Sequence, residues 1–185
     1  MQLHPKAKIL LISSNIWYFG EGLLGPLFAV FTERVGGDIL DISWAWATYM
    51  FVTGFFTIIF GKIADNIDKE KMIVFGYSLN ALFTFSYLLV SSPVHLLLVQ
   101  AGLGLALSLS NPTWLALYDR YSGDKNDGYV WGLSDGQAKI VSGLGILVGG
   151  FLVSMTSFTV LFVCMGVIQT WAALHQARIL SSRHR

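Results

Sequence analysis

The sequence predicts an all-α membrane protein with six transmembrane helices and both ends in the cytoplasm. Three observations predict it: a chain too apolar for water, six separate runs long enough to cross a bilayer, and a one-sided distribution of Lys and Arg. Of 185 residues, 54% are hydrophobic and 12% charged, against about 25% charged in soluble domains. Twelve Lys/Arg and eleven Asp/Glu cannot clothe so apolar a core in water, so lipid must supply the exterior. A net charge of +1 with no cluster of unopposed cations argues against a nucleic-acid partner. The single cysteine, Cys164, rules out an intramolecular disulfide.

The runs follow from a hydrocarbon layer of about 30 Å. The first, 9–31, comes after a basic start at Lys6 and Lys8 but is too long for a signal peptide and lacks a small-residue cleavage pattern. Gly36-Gly37-Asp38 ends it, and the second run covers 42–61. The charged stretch from Lys62 to Lys71 leads into the third, 72–92, which closes at Ser91-Ser92-Pro93. The fourth, 94–118, stops before Ser122-Gly123-Asp124, and the fifth covers 129–153. Ser154-Met155-Thr156-Ser157 separates it from the sixth, 155–175. Four of the six contain no Asp, Glu, Lys or Arg.

Orientation follows because translocating a positive charge close to a span is disfavoured. Lys6, Lys8, Lys62, Lys69, Lys71, Arg120, Lys125, Arg178, Arg183 and Arg185 fall on one side, and Arg34 falls on the other. The first side is therefore expected in the cytoplasm, in a cell-membrane protein that crosses many times.

Comparing the first three spans with the last three gives two local matches. Gly25-Pro26 before Leu27-Phe28-Ala29-Val30-Phe31 corresponds to Asn111-Pro112 before Thr113-Trp114-Leu115-Ala116-Leu117-Tyr118. Thr53-Gly54 with Gly61 seven residues on corresponds to Ser142-Gly143 with Gly150 seven residues on. Their shared order predicts a 3+3 inverted repeat, with spans one and four broken or kinked by proline.

The loop after the second span, Gly61-Lys62-Ile63-Ala64-Asp65-Asn66-Ile67-Asp68-Lys69-Glu70-Lys71, resembles the signature Gly-x-Leu-Ala-Asp-Arg-x-Gly-Arg-Lys of the major facilitator superfamily. Gly61, Ala64, Asp65 and the basic Lys69 match, whereas Asn66, Asp68 and Glu70 depart from it. The opening stretch Phe19-Gly20-Glu21-Gly22-Leu23-Leu24-Gly25-Pro26 is similar to that family's first helix. Gly145-Ile146-Leu147-Val148-Gly149-Gly150 is similar to its antiporter motif but lacks the proline. Gln100-Ala101-Gly102-Leu103-Gly104 stands where drug antiporters place an arginine, which argues against a drug/proton antiporter. The resemblance covers the whole chain but one six-helix half of a twelve-helix family member. It implies a secondary transporter of a small solute whose cavity lies between two halves, with helices one and four lining it. A second copy of the chain is the expected partner, forming a homodimer; the alternative is a non-transporting or truncated half that needs a different partner half. By the same resemblance Gly61, Asp65 and Lys69 form the gating motif.

Ionisable groups at membrane depth cost about 2.5–3.5 kcal/mol each on the insertion scale, which makes them functional candidates. Glu21 lies halfway along the first span, and Asp135 and Lys139 lie in the fifth, four residues apart on one helical face. Glu21 is protonated, paired across helices, or facing a wet cavity, and is the candidate for solute or proton coupling. Lys139 either neutralises Asp135 or pairs with Glu21 across helices. Among neutral polar groups, Asn15, Gln100 and Asn111 are the solute-site candidates because they sit on the proline-bearing spans. No motif calls for a metal or cofactor. An intramembrane protease lacks its catalytic motif, since His4, His175 and His184 fall at the cytoplasmic edge and His95 at the outer one. An aquaporin-like channel would need a second Asn-Pro beside Asn111-Pro112, and none is present.

Overall fold

A computed structural model describes residues 4–123 and 127–181, so Lys125, Arg183, Arg185 and His184 lie outside the described residues. Seven α-helices are present among them. Helix α1, Pro5–Leu24, starts on Pro5, whose fixed φ suits the first helical position, with the His4 side chain accepting from the Lys6 amide. It stops at Gly25, whose backbone (φ 27°, ψ −121°) leaves helical space, and Pro26 cannot donate to restore the ladder. The chain resumes as α2, Leu27–Arg34. The break expected at the first proline is thus present, and the run 9–31 is two helices.

An Asp38/Asp41 capping box opens α3, Ile39–Ala64. Asp68 caps α4, Lys69–Ser86, which tightens into a single 3-10 turn at 87–89. Ser92 caps α5, Pro93–Ser122, and this helix runs on through Pro112. The Thr113 hydroxyl donates to the Leu109 and Ser110 carbonyls beside that proline. Of the break or kink expected in the fourth span, the break is not made. Helices α6, Asp127–Met155, and α7, Phe158–Ser181, complete the bundle. Five helices among the described residues, α3 to α7 with α4 extended by its 3-10 turn, are long and apolar enough to cross a membrane.

The packing order is α6 on α1, α1 on α7, α7 on α4, α4 on α5 and α5 on α3. Small residues set the spacing, as expected where lipid removes the hydrophobic drive between helices. A Cβ at Gly22 would lie 2.6 Å from the Ser142 carbonyl oxygen and one at Gly145 2.5 Å from that of Phe19, while one at Gly149 would overlap the Leu23 carbonyl. On the opposite flank a Cβ at Gly104 would lie 2.7 Å from the Tyr49 carbonyl oxygen. Three apolar clusters fill the interior, the smallest of them Ala64, Met72 and Leu109. One joins Phe28, Phe31, Tyr87, Leu96, Phe158 and Phe162, and its Tyr87 and Phe162 rings stack at 4.9 Å. Another joins Leu10, Trp17, Ile73, Tyr77, Leu117 and Ile179.

Helices α3 and α6 stand at the two ends of this order and are the least covered. Ala45 and Ala64 are the buried residues of α3. Phe51, Phe55 and Ile58 of α3, and Ile140, Leu147 and Phe151 of α6, point outward. No atom of a neighbouring element lies within 4 Å of a Cβ built at Gly54, Gly61 or Gly143.

Candidate functional site

Glu21 sits in the last turn of α1, one turn before the Gly25 break. Its Oε1 accepts from Asn80 Nδ2 of α4 and from Gln169 Nε2 of α7, each at 3.2 Å. Gln169 Nε2 also donates to the Trp17 carbonyl at 3.1 Å, which fixes that amide's orientation. Asn80 and Gln169 are buried, so both donors are held in place by packing. Both bonds fall on Oε1, and Oε2 takes neither. The carboxylate contributes to the wall of a cavity of about 360 Å³ between α1, α3 and α5. Gln100 and Asn111 of α5 line the same cavity, together with Trp17, Tyr18 and Tyr49.

The remaining candidates separate. Asn15 donates from Nδ2 to Gln137 Oε1 at 3.1 Å and ties α1 to α6. Lys139 Nζ lies 3.8 Å from Asp135 Oδ1, with both side chains more than 70% exposed. The expected cross-helix pair of Glu21 with Lys139 is therefore not formed. Gly145 and Gly149 are the glycines of α6 that pack on α1. In the loop between α3 and α4, Lys69 Nζ donates to the Ala64 carbonyl at 2.6 Å and stands 3.5 Å from Asp65 Oδ1. The loop thus closes on itself, with Lys69 capping the C-terminal end of α3 and the Asp65 side chain exposed. A Cβ built at Gly61 would meet no neighbouring element within 4 Å.

One buried ionic cluster was not legible in the sequence. Glu70, which departs from the loop signature, is buried and pairs with Lys6 Nζ at 2.7 Å, and Tyr121 Oη donates to the same oxygen at 2.7 Å. Burial alone pushes the Lys6 ammonium down, but the hydrogen bond and charge of Glu70 outweigh it and hold its pKa above the ordinary lysine value. The cluster pins the start of α1 to the start of α4 and the end of α5. The one sequence signal for it is the acid standing where the signature has a base.

The bundle, with five helices long and apolar enough to cross a membrane among the described residues, defines a multi-pass helical membrane protein. The model of the Major Facilitator Superfamily matches residues 10–178. A curated relative, the uncharacterized MFS-type transporter MJ1560 of Methanocaldococcus jannaschii, is 21% identical over 173 residues, covering 94% of this chain and 45% of that one. The chain belongs to the major facilitator superfamily and spans about half the length of the curated relative it matches.

Proposed function

We propose that the chain is a six-helix half of a secondary-active transporter of a small solute, working as a homodimer, with α1 and α2 together forming the first span. The observation that carries this reading is Glu21, a carboxylate at membrane depth held by two amides in the wall of a cavity. Within the reading Glu21 couples solute or proton binding to movement, Gln100 and Asn111 contact the solute, and Gly61, Asp65 and Lys69 form the gate.

The packing order supports the 3+3 inverted repeat. Exchanging α1 with α5, α3 with α6 and α4 with α7 turns the series α6, α1, α7, α4, α5, α3 into its own reverse. A partner is supported by the outward faces of α3 and α6. Asp135 and Lys139 stand exposed on a second face of α6, beside the hollow that Asp135 shares with Tyr18 and Asn111, and in lipid each would cost about 2.5–3.5 kcal/mol. Protein or a water-filled cavity on that face removes the cost. A different partner half is the second reading, favoured by the 45% share of the relative that the chain covers.

Mass measurement in lipid nanodiscs separates the two, since the homodimer reading expects two copies and a stable monomer that still transports overturns it. For transport, proteoliposomes should accumulate a member of a panel of labelled small solutes, and Glu21→Gln should abolish uptake. Folded protein that moves neither solute nor protons would refute the transporter reading.

A further inference from the structure

The wall around Glu21 has a chemistry of its own. Six aromatic residues, Trp17, Tyr18, Phe28, Trp46, Tyr49 and Tyr87, line the 360 Å³ cavity with this one carboxylate. Tyr18 and Asn111 also belong to an adjoining hollow of about 180 Å³, whose far wall holds Trp114, Trp131 and Asp135. A smaller hollow lined by Trp17, Tyr18, Asn111 and Trp114 joins the two sets of walls. Among the described residues no Lys or Arg lines any of the three.

Such a lining sorts solutes by charge and shape. An anion would meet the Glu21 carboxylate with no Lys or Arg in the wall beside it, and a small hydrated solute would lose water to rings that return few hydrogen bonds. A cation spread over an apolar body gains from both parts of the wall. Aromatic faces attract it through their quadrupoles, and the low dielectric strengthens its attraction to Glu21. The volume is also in the range of sites that take drug-sized molecules, about 300–1,000 Å³.

We infer that the solute is a lipophilic organic cation, seated among Trp17, Trp46 and Tyr49 with its charge at Glu21. This rests on the transport reading above. Asn80 and Gln169 then act as positioning residues, because their two amide N–H groups support the negative charge on Glu21 while Oε2 serves the solute.

The proposal is tested by equilibrium binding of radiolabelled tetraphenylphosphonium to the protein in phosphatidylcholine nanodiscs, with empty nanodiscs subtracted. Saturable binding is expected, weakened at least ten-fold by Glu21→Gln and kept within about three-fold by Glu21→Asp. Asn111→Lys is the second variant, because Asn111 is exposed and its change places an ammonium in the shared wall; it should also weaken binding at least ten-fold. Tetraphenylborate, the anion of matching shape, should not compete. No saturable binding by protein that shows a cooperative melt, undiminished binding by folded Glu21→Gln or Asn111→Lys, or competition by tetraphenylborate would each overturn the inference. Uptake of an uncharged or anionic solute without phosphonium binding sinks the cation class and leaves the transporter reading standing. Saturable, Glu21-dependent binding without movement across proteoliposomes supports the cation site and removes the transporter reading.

Discussion

The Thr53 hydroxyl of α3 donates to the Gly104 carbonyl of α5 at 3.3 Å. On the far side of the bundle the Ser142 hydroxyl of α6 reaches the Tyr18 carbonyl of α1 at 3.5 Å, near the limit for such a bond. Gly104 stands eight residues before Pro112 and Tyr18 eight before Pro26, while Thr53-Gly54 matches Ser142-Gly143. The two bonds are therefore equivalent under the local registers read from the sequence, which supports the inverted repeat beyond helix order alone. Thr53→Val and Ser142→Ala should each lower stability by about 0.6 kcal/mol, a typical value for interhelical hydrogen bonds in membranes. Their effects should add, because the bonds lie on separate flanks. Unfolding titrations in mixed micelles read this, and strong coupling between the two variants would contradict it.

Adjacent glycines of α6 should behave oppositely. Gly149→Ala drives its methyl group into the Leu23 carbonyl, a backbone atom that cannot turn aside, so α1 and α6 must separate. A loss of about 1–3 kcal/mol is expected, as for overpacked cores. Gly150→Ala enters open space and should change the stability of a single copy by less than about 0.5 kcal/mol. Melting temperatures of the two variants in the same detergent decide the matter.

The Lys6–Glu70 pair should be visible as an alkaline limb of stability. The folded Lys6 pKa is raised, so its contribution is fully present below the unfolded lysine value of about 10.4 and is lost as pH climbs through the higher folded value. Melting curves between about pH 8 and pH 11.5 should fall at the top of that range for the parent chain. Lys6→Met should flatten this limb and cost about 3 kcal/mol at neutral pH, because Glu70 is left buried without its cation. An unchanged alkaline limb in Lys6→Met would assign the fall to other groups.

Topology can be read by cysteine labelling after Cys164→Ala. Glu33 in the last turn of α2, and Ser91 and Thr156 in connections, are all exposed and should react from outside. Asn66 and Lys125 should react from inside, following the Lys/Arg bias. Glu33 is preferable to Gly37, where a Cβ would press on Thr32. Opposite labelling of any connection overturns the orientation.

Much of the architecture is legible in the sequence because the bilayer imposes a length and every span must satisfy its own backbone. The break at Gly25-Pro26 is visible because glycine and proline act on local backbone, and the Asp135–Lys139 pair because spacing along one helix is fixed. Pairings between helices are not. Glu21 finds partners 59 and 148 residues away, and Glu70 finds one 64 residues away. Which faces meet depends on helix rotation and glycine contacts, and neither has a period in sequence. Pro112 suggests a break that does not occur, because the Thr113 hydroxyl and the packing of α5 between α3 and α4 hold that helix together.

The close seating of α1 against α6 bears on how the protein is made. Helix α1 leaves the ribosome before the other described helices, and among those of comparable length it alone falls short of the apolarity needed to cross a membrane by itself. The α6 carbonyls and glycines that receive it arrive much later, Ser142 standing 124 residues beyond Tyr18. Gln169, the second donor to Glu21, emerges later still. Until α6 and α7 are made, Glu21 lacks the Gln169 amide and α1 lacks the two helices it packs against most closely. A nascent chain stopped before α6 should leave α1 open to aqueous reagents, so biogenesis of this bundle is completed from its C-terminal end.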